Sequence, residues 1–255
     1  MRQTTINLLE RTYEGDQVDV EIVDLSQANF DDLFDWSGEA QGRDAGCKYC
    51  LYWEQPDSAE WPDTLAGRAD AKRQWFRDVE AEFGPCGKLA YAGPMESRVS
   101  PECGADTRDS SGRLSRVARL RSDTECHAGS LGRSLRKMGL SLYDTNLVKL
   151  VGYSQFGSPK YLPNVGAYAC APPSQEAMFV SCLLVAADER NQGVGSALLS
   201  AVVRDVRMRG APAVETFAGK GSRSNCSGPL GFWLKHGFRI VREDEDFALV
   251  RCELR

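Results

Sequence analysis

Residues 178–210 read MFVSCLLVAADERNQGVGSALLSAVVRDVRMRG, and this stretch decides the fold. Residues 178–186 form a nearly continuous apolar run, suited to a central strand covered on both faces. From Ser196 to Gly210 the period changes. Leu198, Val202 and Val206 recur at every fourth position, one stripe of an amphipathic helix, and Gly210 lies past its end. Between strand and helix stands Arg190-Asn191-Gln192-Gly193-Val194-Gly195. A junction of this kind is an anion site. The first N–H groups of a helix have no partner within it and point outward, and the helix dipole favours negative charge there. Glycines remove side chains where the backbone must approach a diphosphate, and Arg190 can add charge-assisted hydrogen bonds. A dinucleotide fingerprint needs a third glycine at G-x-G-x-x-G spacing, which is missing after Gly195, and the Walker pattern is absent here too.

Beyond the helix, residues 213–218 (AVETFA) read as a strand. Residues 228–238 (GPLGFWLKHGF) read as a short helix with Pro229 in its first turn. RIVRE (239–243) and FALVRCEL (247–254) make a final strand pair. Before the central strand, Pro159, Pro163, Pro172 and Pro173 punctuate a loop, and LVKLVGYSQF (147–156) is strand-like. KLAYAG (88–93) is a short strand. Within residues 70–83, Trp75, Phe76, Val79 and Phe83 form a helical stripe that Gly84-Pro85 ends. Residues 37–69 look like ordered loop, Phe30, Leu33 and Phe34 show helical spacing, and Val18, Val20 and Ile22 alternate as in a half-buried strand.

Residues 94–146 differ in composition: rich in Ser, Gly and Arg, and poor in large apolar side chains. Residues 113–137 carry seven Arg or Lys against two acids. The simplest reading is a hairpin of 88–93 with 147–156, interrupted by a flexible basic insertion within one domain spanning 1–255. The overall net charge of −5 argues against a nucleic-acid binder. No apolar run reaches the length of a membrane span, and the opening residues lack a secretory signal, so a cytoplasmic protein is expected. Reduced thiols are then expected for the nine cysteines. Cys47-Lys-Tyr-Cys50 has metal or redox spacing, but one such pair supplies two ligands where structural zinc takes four. Cys86 and Cys170 would complete a set, and Cys103, Cys126 and His127 lie in the insertion. Buried or incidental thiols account for the pair as well, and no metal is assigned.

The string V-x-x-x-x-R-x-x-G-x-G-x-A-L-L from Val185 to Leu199, followed by a helix, a strand and then GFWLKHGF (231–238), resembles the GNAT superfamily of N-acetyltransferases. The resemblance covers 178–255 well, and the pattern from 17 to 93 is compatible with it. It implies an α/β acyl-CoA N-acyltransferase fold: a mixed, strongly twisted sheet, splayed to admit the cofactor and flanked by helices. It implies acetyl-CoA as co-substrate and an amine acceptor, with a homodimer allowed and not required. The backbone of Leu183, Leu184 and Val185 should meet the pantetheine arm, with an N–H near Val185 polarising the thioester carbonyl. Arg190, Asn191, Gln192, Gly193, Val194, Gly195 and Ser196 should cradle the pyrophosphate, and Asn225 should contact the cofactor.

One departure matters. In F-x-x-x-x-G-F the family commonly places a Tyr acid directly after the first Phe, and here Trp233 stands there. An indole N–H donates but is no useful acid. Glu215 is the leading candidate for general base, against the plainer reading of an outward strand charge; Tyr168 and Glu176 are weaker candidates. Cys182 reads as core. The aromatic run Leu51-Tyr52-Trp53-Glu54 either lines the acceptor pocket or packs in the core. These features leave N-acetyl transfer as the leading function, with a non-catalytic acyl-CoA binder or sensor and an interaction module built on the basic insertion as alternatives.

Overall fold

The computed structural model describes residues 20–36, 47–57, 59–93, 149–223 and 225–254. Val18, the opening residues, the basic segment and its Cys103, Cys126 and His127 lie outside them. By its contacts the chain divides into Met1–Ala92 with Leu150–Arg255, and Gly93–Lys149. The first unit holds the sheet and its helices, and Lys149 is the first residue of the third strand.

The elements run β1 (Val20–Asp24), α1 (Phe30–Asp35), α2 (Leu65–Phe83), β2 (Gly87–Ala92), β3 (Lys149–Gly157), β4 (Met178–Val185), α3 (Val194–Met208), β5 (Ala213–Gly219), α4 (Leu230–Lys235), β6 (Arg239–Glu243) and β7 (Phe247–Glu253). One seven-stranded sheet holds the strands in the order β1-β2-β3-β4-β5-β7-β6. β4 and β5 pair in parallel, whereas β1 with β2, β3 with β4, β5 with β7 and β6 with β7 are antiparallel. A parallel pair needs a crossover, and α3 supplies it. The mixed sheet flanked by helices matches the expected fold class. β2 and β3 are neighbours in the sheet.

Side chains alternate across a strand, and here the alternation divides the core into two layers. Phe179, Phe217 and Leu249 join one cluster with Phe30, Phe76 and Trp53. Their neighbours Val180, Ala218 and Val250 join the other, with Leu199, Val202, Val206 and Trp233. Leu198, Val202 and Val206 of the α3 stripe are all fully buried.

One element begins earlier than the apolar stripe predicts. α2 starts at Leu65, inside the stretch read as loop, because Thr64 caps it: its hydroxyl accepts the Gly67 N–H at 3.1 Å. At the other end Gly84 takes φ 87°, and Arg209 donates to the carbonyls of Phe83 at 2.9 Å and Pro85 at 2.6 Å. Arg209 also meets Asp205 at 2.5 Å, and Asp205 lies 2.5 Å from the ammonium of Lys88 on β2, which pairs in turn with Asp24 on β1. This chain of charges, buried at Lys88 and Asp205 and half exposed at Asp24, ties α3 to β1, β2 and the end of α2.

Candidate functional site

β4 and β5 pair only at Met178 with Val214 and Phe179 with Glu215. The register of β4 against β3 explains why. Gln155 faces Cys182 while the next residue, Phe156, faces Val180, so Ser181 is an extra residue in β4. Such a bulge bends its strand, and beyond it β4 and β5 part into a wedge. Thr216 Oγ1 still reaches across to the Val180 carbonyl at 2.7 Å. Residues 225–228 then enter. Asn225 Nδ2, at 2.5 Å, and Ser227 Oγ both donate to the Phe217 carbonyl. The Gly219 N–H donates to the Gly228 carbonyl at 3.1 Å, and from the other strand the Leu183 N–H donates to the Cys226 carbonyl at 2.8 Å.

These bonds narrow the expected backbone contacts. The Leu183 N–H faces the wedge but is held by Cys226. In an antiparallel ladder successive residues turn their N–H groups to opposite sides, so Leu184 faces β3 and Val185 faces the wedge. The Val185 carbonyl accepts from Arg190 Nε at 3.2 Å.

The glycine loop begins beside Val185. Asn191 has φ 62° and Gly193, the N-cap of α3, has φ 91°, the left-handed region that glycine tolerates best. The cap makes no side-chain hydrogen bond to the helix, so side-chain capping does not occupy the first N–H groups. A Cβ on Gly195 would lie 3.6 Å from Val185 Cγ2 and 3.5 Å from the Phe232 ring, which sets the helix start against the end of β4. Gln192 Nε2 donates to the Asp188 carbonyl at 2.8 Å. Ser196 Oγ meets His236 Nε2 at 2.9 Å, and His236 Nδ1 faces the Phe232 carbonyl at 2.8 Å. Since a carbonyl only accepts, Nδ1 carries a proton, and in the neutral ring Nε2 accepts from the serine hydroxyl. Sequence reasoning passes over His236, because 40 residues separate it from Ser196 and no local spacing links them.

Both residues expected to serve catalysis are committed elsewhere. Glu215 is buried and sits at the closed end of the wedge, opposite Phe179. One oxygen accepts from Arg251 and the other from the Ser174 N–H, each at 2.7 Å. At about 3.3 Å per residue, the six steps from Phe179 to Val185 span roughly 20 Å, out of reach of a base acting near Val185. Glu176 stands near that same end, 3.9 Å from Arg251. Trp233 is fully buried, and its indole N–H donates to the Ser227 carbonyl at 2.9 Å. Its ring packs edge-on against Phe232 and Phe238, so it serves the core.

A cavity of about 500 Å³ opens among Tyr52, Ala167, Tyr168, Phe247 and the acids Asp244, Glu245 and Asp246. Tyr168 stacks on Phe217 at 4.2 Å and lies parallel to Trp53 at 5.9 Å. Burial pushes its phenol up, against the lowering effect of Asn225 beside it. The wedge and the cavity therefore share a wall. Of the aromatic run, Tyr52 lines the cavity while Trp53 is core. Backbone hydrogen bonds from Phe247 and then Asp246 outweigh the small opposing effect of burial and hold the Asp244 carboxyl below its usual range.

No family model matches the sequence, and no curated protein sequence does. Solved structures resemble the fold, GNAT-class acetyltransferases among them. One, from Desulfovibrio desulfuricans and assigned to the GNAT family, is 21% identical over 42% of this chain, with a TM-score of 0.32; the match spans 64% of that chain. The PaiA N-acetyltransferase of Thermoplasma acidophilum, in complex with coenzyme A, is 10% identical over 92% of this chain and 98% of its own, with a TM-score of 0.45. An N-acetyltransferase of Staphylococcus aureus Mu50 is 12% identical over 93% and 99%, with a TM-score of 0.43. Among the described residues no helix is long and apolar enough to cross a membrane.

Proposed function

We propose that the chain moves the acetyl group of acetyl-CoA to an amine by direct attack. The observation that carries this reading is the meeting of two backbone features at one point. The N–H of Val185 faces the wedge, and the uncapped start of α3 lies against the Val185 side chain. A diphosphate on the N–H groups at Val194, Gly195 and Ser196 would send its pantetheine arm along that edge of β4. The thioester carbonyl would then meet the Val185 N–H, which stabilises the oxyanion of the tetrahedral intermediate. Arg190 fixes the strand end and adds positive charge beside the phosphates.

The acceptor fits the cavity. Aromatic faces and carboxylates both attract cations, so an amine carrying a second, positive nitrogen suits Tyr52, Tyr168, Phe247 and the Asp244–Asp246 acids. The attacking nitrogen must be neutral. With Glu215 and Trp233 committed to structure, the proton on the attacking nitrogen in the tetrahedral intermediate passes to the leaving thiolate or to water. That same commitment favours a second reading, an acyl-CoA binder that transfers nothing.

Mass spectrometry of acetylated products over a panel of neutral amines and diamines tests the choice. Diamines should be acetylated with a kcat/KM at least about tenfold above neutral amines, for one added cation contact of about 1.4 kcal/mol. Calorimetric binding of acetyl-CoA with no acetylated product would favour the binder. Absence of binding would reject both readings.

A further inference from the structure

We propose that Cys226 is a thiol–disulfide exchange site for small aliphatic disulfides, with Cys47 as its resolving thiol. The proposal needs no coenzyme A and stands apart from acetyl transfer. Four thiols from three parts of the chain converge here: Cys47 and Cys50 around one short turn, Cys182 on β4, and Cys226 in the wedge loop. Cys226 Sγ lies 3.6 Å from Cys47 Sγ, and the thiols of Cys182 and Cys50 are close enough to act on its ionisation. The contacts therefore radiate from Cys226. Among the described residues no group of three or more Cys, His, Asp or Glu side chains is arranged to hold a metal ion. Where the neighbouring thiols donate to it, a sulfur at the centre of such a cluster is stabilised as a thiolate.

The electrostatics agree. Hydrogen bonds from Cys182, Cys47 and Cys50, with the Lys72 charge, outweigh burial and hold the Cys226 thiol far below the ordinary range. The bond to Cys226 and burial push Cys182 and Cys50 the other way, so they remain S–H donors. Lys72 is itself fully buried. It donates to the Cys50 carbonyl at 2.8 Å and pairs with Glu54 at 2.7 Å. Burial alone would lower its pKa, but Glu54 and the thiols raise it, so it stays a cation.

A thiolate, and not a thiol, attacks a disulfide. Cys226 and Cys47 are half-buried, whereas Cys182 is fully enclosed. Their surroundings include the core cluster of Trp53 and Phe217, so a short uncharged substituent suits the site better than a peptide. In the first step the Cys226 sulfur attacks one sulfur of R–S–S–R. The new S–S bond carries R, and the other sulfur leaves as R–S⁻, taking a proton from water. In the second step Cys47 loses its proton to solvent and attacks Cys226 Sγ, expelling the second R–S⁻. Two protein thiols are oxidised to one disulfide, and one small disulfide is reduced to two thiols.

Bis(2-hydroxyethyl) disulfide, added to the reduced full chain, tests this with peptide mapping by mass spectrometry. The native protein should release both thiol halves and end with Cys47 linked to Cys226. Cys47→Ser should release one half and keep the adduct on Cys226. Cys226→Ala should lose both events. Between pH 6 and 8 an ordinary thiol of pKa about 8.5 gains roughly 75-fold in thiolate, while the rate at Cys226 should rise by well under that factor, because its neighbours lower the pKa of its thiol. A first adduct on Cys50 or Cys182 would overturn the proposal. So would a native chain that reacts only when unfolded, or one holding stoichiometric thiol-bound metal that must be stripped before reaction. If Cys226→Ala fails to fold, the adduct map and pH profile of the native chain and of Cys47→Ser decide.

Discussion

Gly193 and Gly195 stand two residues apart and do different work. Gly193 holds φ 91°, which costs any L side chain about 1–2 kcal/mol. Gly195 has no such strain, and a Cβ there meets only ordinary contacts with Phe232 and Val185. Gly195→Ala should therefore leave acetyl-CoA affinity within a few fold, while Gly195→Glu and Gly193→Glu should weaken it at least tenfold, about 1.4 kcal/mol, by setting a carboxylate against diphosphate. Calorimetry checks both, and unchanged affinity in the Glu variants would remove the cofactor loop from the site. Arg190→Ala should cost about 1.5–3 kcal/mol of binding if the guanidinium bonds phosphate. Trp233 stands where the sequence resemblance expects a general acid, yet its indole fills the core and bonds Ser227. Trp233→Phe should cost about 3 kcal/mol of stability through lost volume and an orphaned carbonyl. Urea unfolding measures that cost. A catalytic role would show instead as lost turnover with stability intact.

At the scale of elements, strands and helices are largely legible in the sequence because burial imposes a period. Leu198, Val202 and Val206 mark α3, and all three are buried. The start of α2 is not legible from apolar spacing, since Leu65 is exposed and Thr64, a cap, sets the boundary. The bulge at Ser181 leaves no trace in the apolar run, because an extra residue in a strand buried on both faces disturbs no alternation of polar and apolar side chains. It is nonetheless what separates β4 from β5. The adjacency of β2 and β3 leads to a prediction about the segment between them. Replacing residues 95–146 by Asn-Gly should give a tight hairpin and a folded chain. Circular dichroism and a cooperative melt would establish this; a chain that no longer folds would place those residues in the core.

Across the molecule, Asp205 joins α3 to β2 through Lys88 and to the end of α2 through Arg209. Burial raises its pKa, but Arg209 and then Lys88 outweigh burial and leave it lowered. A carboxyl lowered in the fold contributes stability above its unfolded pKa of about 3.9, and loses it as pH falls through the folded value. Asp205→Asn should cost about 3 kcal/mol near pH 7, since it strands Lys88 and Arg209 beside a neutral amide. That gap should begin to narrow below about pH 4, where the unfolded chain's carboxyl takes up a proton, and close as pH falls through the lower folded value. Urea unfolding of both chains at the two pH values checks the sign. A gap independent of pH would mean that packing, and not charge, carries the effect.

The sequence by itself determined the fold class, the glycine loop and its place between β4 and α3. All of these rest on periodicity and on backbone freedom, which are local. Only the tertiary structure decided the fate of single polar groups. Glu215 is turned to Arg251 and Ser174, Trp233 to Ser227, and the Leu183 N–H to Cys226. Cys47 and Cys50 find Cys226, 179 residues beyond Cys47, and not Cys86 or Cys170. A buried polar group must find a partner wherever the fold supplies one, and which partner lies within about 3 Å depends on how distant segments pack, which spacing along the chain does not encode.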